Sequence, residues 1–213
     1  MKRKSHKSGF TLVEVLITLA IIGIVAMMVL PILVSSYKKK TAEARIDKFF
    51  STMQQAILFS EANNGDIDNW DEPVSQSEVS DWFDKYIAKY IKFDTVEKNE
   101  SSNFSVYLSD GSYFELVKND CIDVLYDMNG KAKPNMHGRD KFYFLICQSP
   151  ANREKYYFNK KFNIGPYSSY GGCTKGDRAC YLEKCATAPS YSCSALFIED
   201  GLRFSDDYPF SSF

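Results

Sequence analysis

Near its start the chain reads Gly9-Phe10-Thr11-Leu12-Val13-Glu14-Val15-Leu16, and it stays apolar from there to Val34. As an α-helix, this run of about 25 residues is long enough to cross the hydrocarbon core of a bilayer. Its only charged side chain is Glu14. An ionised carboxylate costs several kcal/mol at membrane depth, so we expect Glu14 to have a partner.

A basic leader precedes the apolar run and carries Lys2, Arg3, Lys4 and Lys7. A secretory signal peptide begins in the same way, but its apolar region is shorter and ends at a small-x-small cleavage site. No Ala-x-Ala sequence closes the run in this chain. A plain transmembrane anchor would fit the length of the run, but it would give Glu14 no role.

The sequence Gly-Phe-Thr-Leu-Val-Glu-Val-Leu resembles the processing and methylation signature of type IV pilins and type II secretion pseudopilins. In that family a prepilin peptidase cuts after the glycine, on the cytoplasmic side, and methylates the new N-terminal residue. The resemblance implies cleavage between Gly9 and Phe10, which removes residues 1–9 as a leader and makes Glu14 the fifth residue of the mature chain. Pro31 lies where the family usually carries a helix-weakening proline.

This resemblance implies a structural subunit of a type IV pilus or a type II secretion-like filament. Residues 10–34 would form the transmembrane and assembly helix in the bacterial inner membrane, and residues 35–213 an extracytoplasmic pilin-like domain. The implied partners are the prepilin peptidase, the inner-membrane assembly platform, membrane lipid before assembly, and other pilins or pseudopilins. The filament would be periplasmic or on the cell surface.

The resemblance also implies a partner for Glu14. During assembly, Glu14 of one subunit would face the N-terminal amine of its neighbour, so that each charge relieves the desolvation cost of the other. The alternative is a pairing of Glu14 with the Phe10 amine of its own chain, about one helical turn away.

Charge argues against bulk electrostatic binding to nucleic acid. The chain has 26 basic and 27 acidic residues, and removal of the four basic leader residues leaves 22 against 27, a net charge of about −5. A local patch is still conceivable, because four basic residues are interleaved with aromatic side chains that stack on single-stranded DNA. These residues are Arg153, Lys155, Tyr156, Tyr157, Phe158, Lys160, Lys161 and Phe162. The alternative function is thus a membrane-tethered binding module, for example a DNA-binding minor pilin in competence, but a strand with a solvated basic face is favoured.

All cysteines lie in the C-terminal half of the chain, at Cys121, Cys147, Cys173, Cys180, Cys185 and Cys193. An even number in an exported domain indicates disulfides formed in an oxidising compartment. Zinc binding is disfavoured because the chain has no Cys-x-x-Cys pair and its only histidines are His6 and His137.

Two helices are predicted in the globular domain. Residues 35–62 continue the membrane helix as an amphipathic half, because apolar side chains recur there at helical spacing before the stop signal Asn63-Asn64-Gly65. Residues 75–92 form a second helix, with Trp82 and Phe83 on its buried face.

Residues 103–147 are predicted to form the sheet, with strands at 104–108, 113–117, 121–126 and 141–147. Asp110-Gly111 is a hairpin signal between the first two strands. Pairing the last two strands with Tyr126 opposite Phe142 places Cys121 opposite Cys147, at a separation that suits a disulfide. We predict that bond.

The tail, residues 148–213, is rich in cysteine and loop-like. Residues 155–158 and 194–198 are candidate strands, the second of which could instead be a short helix. The last four cysteines allow three pairings, which the sequence leaves open. The predicted fold class is α+β: a pilin-like long N-terminal helix packed on an antiparallel sheet, with a disulfide-stapled C-terminal segment.

Little in the chain indicates cofactor chemistry or catalysis. The loop Asp127–Asp140 opens with Asp-x-Asn-Gly, which resembles calcium-binding loops, but it lacks the third close carboxylate and the closing glutamate of an EF-hand. A turn formed by Asn129-Gly130 is favoured over calcium, and no other metal or cofactor is expected. The motifs of hydrolases and nucleotide-binding enzymes are absent, and His137 is expected to be a solvated loop residue, so we predict no enzyme.

Overall fold

The longest element is helix α1, Leu12–Asn64, which runs for 53 residues without a break. The structure is a computed structural model, and the residues it describes are 9–98, 104–156, 164–168 and 172–210. Helix α1 continues through Pro31, although the proline has no N–H to donate to the carbonyl one turn earlier. It ends at Gly65, whose φ of +81° favours glycine and whose N–H donates to the Glu61 carbonyl at 2.9 Å.

The second half of α1 is amphipathic and forms the spine of the domain. Its buried side chains fall at spacings of three and four residues, which places them on one face of the helix. They are Ala42, Ile46, Phe49, Phe50, Met53, Ala56, Ile57 and Ser60. The prediction of one long helix whose second half is amphipathic is therefore confirmed.

The sheet has six antiparallel strands in sequence order, so each strand pairs with its neighbours along the chain. The strands are β1 (Thr95–Lys98), β2 (Phe104–Tyr107), β3 (Tyr113–Lys118), β4 (Ile122–Asp127), β5 (Lys141–Ile146) and β6 (Ile164–Pro166). The sequence patterns predict β2 to β5 but miss both edge strands. The reason is that β1 is almost wholly exposed and so has no alternation, while β6 has three residues and contains glycine and proline.

One face of the sheet packs against α1. The even-numbered residues of β2 to β5 point to that face, as the period-two geometry of strands requires, and all of them except Lys118 at the end of β3 are buried. The register places Tyr126 opposite Phe142, as predicted. The ring of Phe49 stacks on Tyr126 with centroids 4.0 Å apart, and Phe50 approaches Phe144 at 5.4 Å, so aromatic contacts join the helix to the sheet.

The second predicted helix is shorter and less regular than the sequence suggests. Helix α2 covers only Val79–Tyr86, and it lies between two 3₁₀ turns, Gln76–Glu78 and Ala88–Tyr90. The helical period of its apolar residues is real, but the chain tightens at both ends, as short helices commonly do. Phe83 still packs on the sheet, with its ring 5.2 Å from that of Phe104.

All six cysteines form disulfides. Cys121 bonds to Cys147 with their Cα atoms 4.6 Å apart, the pairing that the strand register predicts. The pairing that the sequence leaves open is sequential: Cys173 with Cys180, and Cys185 with Cys193. The last two bonds join helix α4, Arg178–Ala186, to the segment before it and to helix α5, Cys193–Glu199.

The tail is part of the main core. Residues 194–198 lie in α5, which resolves the choice between strand and helix, and Phe197 packs 6.3 Å from Phe142 on β5. Phe204 and Tyr208 are also buried in that core. The side chain of Arg178 holds the end of the chain by ion pairs to Asp200 and Asp207.

The predicted strand at residues 155–158 is wrong where it can be compared. Lys155 is the last residue of helix α3, Pro150–Lys155, and residues 157–158 lie outside the described part of the chain. Pro150 at the first helical position explains the difference, because its fixed φ and missing N–H suit a helix start.

Removing the Cys121–Cys147 disulfide should lower the stability of the protein more than removing a disulfide that closes a shorter loop. The Cys121–Cys147 bond spans 26 residues, so replacing both cysteines by serine lowers the free energy of unfolding by about 3 to 4 kcal/mol through the entropy of the unfolded chain. The matched control is the Cys173→Ser, Cys180→Ser pair, which spans seven residues and costs about 2 to 3 kcal/mol. Urea unfolding of the full chain in detergent measures both values, and a larger loss from the short loop would contradict the argument.

Replacing Asp123 on β4 by asparagine should raise the stability of the protein by an amount that depends on pH. Asp123 is half-buried, and burial raises the pKa of its carboxyl to about 6, against about 4 in an unfolded chain. The folded state therefore binds the proton more tightly, and stability falls as the pH rises from about 4 to 6. Asp123→Asn should raise the free energy of unfolding by roughly 1 kcal/mol at about pH 8 and change it little below about pH 4.

Denaturant unfolding at the two pH values tests this expectation. Asp206→Asn is the control, because it removes the same charge from an exposed position in the tail. An equal gain for Asp123→Asn at both pH values would show that the raised pKa is not its source.

Candidate functional site

The first half of α1 is covered by no other part of the described chain. The large apolar side chains from Leu12 to Val34 are between 43% and 77% exposed. Among the described residues, α1 is the one helix long and apolar enough to cross a membrane. An apolar surface on all sides of a helix is unfavourable in water, so this half requires lipid or other helices around it.

The start of α1 is closed by Thr11 and Glu14. The Thr11 hydroxyl accepts a hydrogen bond from the Glu14 N–H at 3.3 Å, and Glu14 Oε2 accepts from the Thr11 N–H at 2.8 Å. The Thr11 hydroxyl also donates to the same Oε2 atom at 2.8 Å. This reciprocal pattern is a capping box, which satisfies backbone donors that the first turn of a helix leaves without partners.

The capping box gives Glu14 a partner within its own chain. Its donors are the backbone and side chain of Thr11, which lies after the expected cut between Gly9 and Phe10. The same hydrogen bonds can therefore form before and after cleavage. The described donors both reach Oε2, so Oε1 is open to a donor from outside the chain. The pairing predicted for Glu14 is with an amine; the contact with Thr11 is not among the predictions, although Thr-x-x-Glu is itself a capping signal.

The helix meets the globular domain just after the apolar run. Lys39 donates from Nζ to the Ser205 carbonyl at 3.3 Å, and the Glu43 carboxylate accepts from the Phe204 N–H at 2.9 Å. These bonds attach the end of the chain to α1 within ten residues of Val34. The domain therefore begins at the point where the apolar half ends.

The loop Asp127–Asp140 uses its carboxylates internally. Asp127 is fully buried, accepts from the Asn129 N–H at 3.2 Å and lies 3.5 Å from Lys141 Nζ. Burial raises the pKa of the Asp127 carboxyl to about 6, against the opposing effects of these two partners. Asp140 accepts from the N–H groups of Asn135 and Met136, each at 2.6 Å.

These contacts support the turn interpretation of the loop. Among the described residues, no group of three or more His, Cys, Asp or Glu side chains is placed to hold a metal ion. The turn stays the favoured prediction for the loop, and calcium binding the alternative to it.

His137 packs among tyrosines and is not the solvated residue that the sequence suggests. Its ring stacks on Tyr143 at 5.1 Å and meets the edge of Tyr191 at 4.9 Å. Burial lowers the pKa of His137, which favours the neutral ring. Tyr191 lies in the tail, so no local signal in the sequence could have shown this contact.

The described part of the basic aromatic patch is engaged by carboxylates. Arg153 forms an ion pair with Asp68 and also donates to the Gln148 carbonyl at 3.0 Å. Lys155 pairs with Asp120. The remaining basic and aromatic residues of the patch, Tyr157, Phe158, Lys160, Lys161 and Phe162, lie outside the described residues.

Comparison with known families divides the chain at Pro31. A family model described as a family of unknown function (DUF6613) matches residues 32–211, and a model described as the prokaryotic N-terminal methylation motif matches residues 4–30. No curated protein and no solved structure matches the chain.

Proposed function

Since the chain belongs to the family of unknown function DUF6613 and begins with the prokaryotic N-terminal methylation motif, we propose that it is a structural subunit of a type IV pilus or type II secretion-like filament. The motif is the signature of type IV pilins and pseudopilins, so the chain is a pilin-like subunit. Processing would cut the chain after Gly9 and methylate the amine of Phe10. The observation that carries the proposal is the uncovered apolar half of α1, which is continuous with the spine of the domain.

The apolar half of α1 suits two successive environments. In the inner membrane it would be surrounded by lipid, and in a filament by the same half of neighbouring helices. The second environment needs close helix packing, because moving apolar side chains from lipid to protein brings no further hydrophobic gain. Specific polar contacts then matter more, and Glu14 is the only charged residue in this half.

The position of Glu14 favours pairing between subunits. The amine that cleavage would create at Phe10 is a positive charge at membrane depth, and it needs a counter-charge as much as the carboxylate does. The cap bonds to Oε2 orient the Glu14 side chain, with Oε1 open to such an amine. A neighbour displaced along the filament could supply that amine, which would set the stagger between subunits.

The cysteines support an extracytoplasmic location for the globular domain. Three disulfides in a domain of this size are typical of an oxidising compartment. The family resemblance would place the basic leader on the cytoplasmic side; the positive-inside rule does not decide the orientation, because Lys38, Lys39 and Lys40 make the other flank of the helix basic as well. A membrane-tethered binding module would share this topology but would not need Glu14, so the filament subunit is the better account.

The mature N-terminus tests the processing step. The full chain, expressed together with a prepilin peptidase, should begin at a methylated Phe10 when analysed by mass spectrometry. Gly9→Val should keep the leader, because a bulky residue then precedes the cut, whereas Gly23→Val in the same helix should be processed normally. An intact Met1 start in the wild-type chain, or cleavage after the apolar run, would rule out this proposal.

Variants of Glu14 separate its charge from its capping role. Glu14→Gln keeps an oxygen that can accept from Thr11 but removes the charge, and Glu14→Ala removes both. If pairing with a neighbouring amine drives assembly, both variants should lower the yield of sheared filaments by at least about tenfold. Thr18→Val is the control, since the Thr18 hydroxyl donates only within its own turn, to the Val15 carbonyl at 2.9 Å. Normal assembly of Glu14→Gln with failure of Glu14→Ala would limit Glu14 to helix capping.

A further inference from the structure

A cleft with a volume of about 320 Å³ lies between α1 and the β4–β5 loop. This volume is at the small end of the range for ligand sites, which is roughly 300 to 1,000 Å³. Its charged lining consists of Lys38 and Arg45 from α1, and of Lys133, Arg139 and Asp140 from the loop. We call it the basic cleft.

The basic cleft carries a clear excess of positive charge. Four of its side chains are cationic and one is anionic, whereas the processed chain as a whole has about five more acidic than basic residues. The one carboxylate, Asp140, is 1% exposed and already accepts from two backbone N–H groups. The positive charge of the cleft is thus a local feature that the composition of the domain would not produce.

The cations of the cleft differ in how firmly they are held. Arg45 donates from Nη1 to the Met128 carbonyl at 2.5 Å, a bond that fixes its guanidinium between helix and loop. Lys38 and Lys133 are exposed at the mouth of the cleft. One guanidinium held by a hydrogen bond and two exposed ammonium groups suit a phosphate, which accepts several charge-assisted hydrogen bonds at once.

The cleft lies at the depth of lipid headgroups if α1 spans the membrane. Lys38 follows the last apolar residue, Val34, by four positions, a rise of about 6 Å along the helix. Tyr37, which also lines the cleft, is 72% exposed, and tyrosine is enriched at the interface between membrane and water.

We propose that the basic cleft binds the phosphate of an anionic membrane phospholipid, an inference that rests on the membrane insertion proposed above. The excess of positive charge favours a headgroup with a net negative charge over a zwitterionic one.

A bound lipid would hold the domain at a fixed height on the membrane before assembly. Extraction of the subunit into a filament would then require release of that lipid, since the cleft would leave the headgroup layer together with the helix. The cleft would therefore bind lipid only before assembly, while the subunit is still in the membrane.

The test uses the full chain reconstituted into vesicles of phosphatidylcholine and phosphatidylglycerol in equal amounts. Native mass spectrometry after extraction into neutral detergent should show one retained phosphatidylglycerol, preferred over phosphatidylcholine by at least about fivefold. Lys133→Ala should abolish the preference; the Lys133 carbonyl that accepts from Asn129 stays in place in this variant. Lys131→Ala, which removes the same charge from the same loop but outside the cleft, should keep it.

Further measurements distinguish a lipid phosphate from a free phosphate as the ligand. They also distinguish failure of the cleft proposal from failure of the proposed membrane insertion. Thermal protection by inorganic phosphate, glycerol phosphate or a short single-stranded DNA, without a lipid preference, would overturn the assignment to lipid. Equal retention of both lipids by a wild-type chain that floats with vesicles would overturn the cleft proposal alone. Failure to float with vesicles of either lipid would instead overturn the membrane insertion on which both proposals rest. Lys38→Ala, a second variant on the other wall of the cleft, should also lower the preference, so a folding defect in one variant leaves the test valid.

Discussion

The structure depends on the way that one helix buries apolar surface in two different environments. The C-terminal half of α1 places Ile46, Phe49 and Met53 against the sheet, in the main hydrophobic core. The N-terminal half exposes a continuous apolar surface that nothing in the described chain covers. Because the two halves form a single helix, the position of the globular domain depends on the membrane or filament around the first half.

Pro31 makes the connection between the two halves of α1 more flexible, although the helix stays continuous there. The missing N–H removes one backbone hydrogen bond, so the helix bends more easily there than elsewhere. Beyond that point the bonds from Lys39 to Ser205 and from Phe204 to Glu43 attach the tail of the chain to α1. Bending at Pro31 would therefore move the whole domain as one body, since the next contacts along the helix are already tertiary.

The parts of the fold that follow from local patterns could be predicted from the sequence. Pairing the two strands with Tyr126 opposite Phe142 predicts the register of β4 against β5, and with it the approach of Cys121 to Cys147. The helical period of Ile46 and Phe49 likewise predicts the face of α1 that meets the sheet. These features need only the spacing of residues within a short window.

The remaining features depend on contacts between distant segments, which no local pattern reveals. The Arg45 bond to Met128 joins residues 83 positions apart, and it forms one wall of the basic cleft. The packing of Phe197 on Phe142 draws the tail into a core that its loop-like composition does not suggest. Helix α3 is a different case, because Pro150 is a local start signal that the basic aromatic pattern obscured.

The distribution of charge along the molecule gives the domain a preferred orientation on a membrane. Lys38, Lys39 and Lys40 begin four positions after the end of the apolar run, and Lys133 and Arg139 approach the same end of the domain from the β4–β5 loop. The processed chain as a whole carries a net charge of about −5, so the regions away from this end are more acidic than the average. An anionic membrane surface attracts the basic end within about a Debye length, and it repels the acidic remainder. The two effects act in the same direction: they keep the cleft at the headgroups and the rest of the domain raised above them, while Pro31 leaves the helix free to tilt beneath.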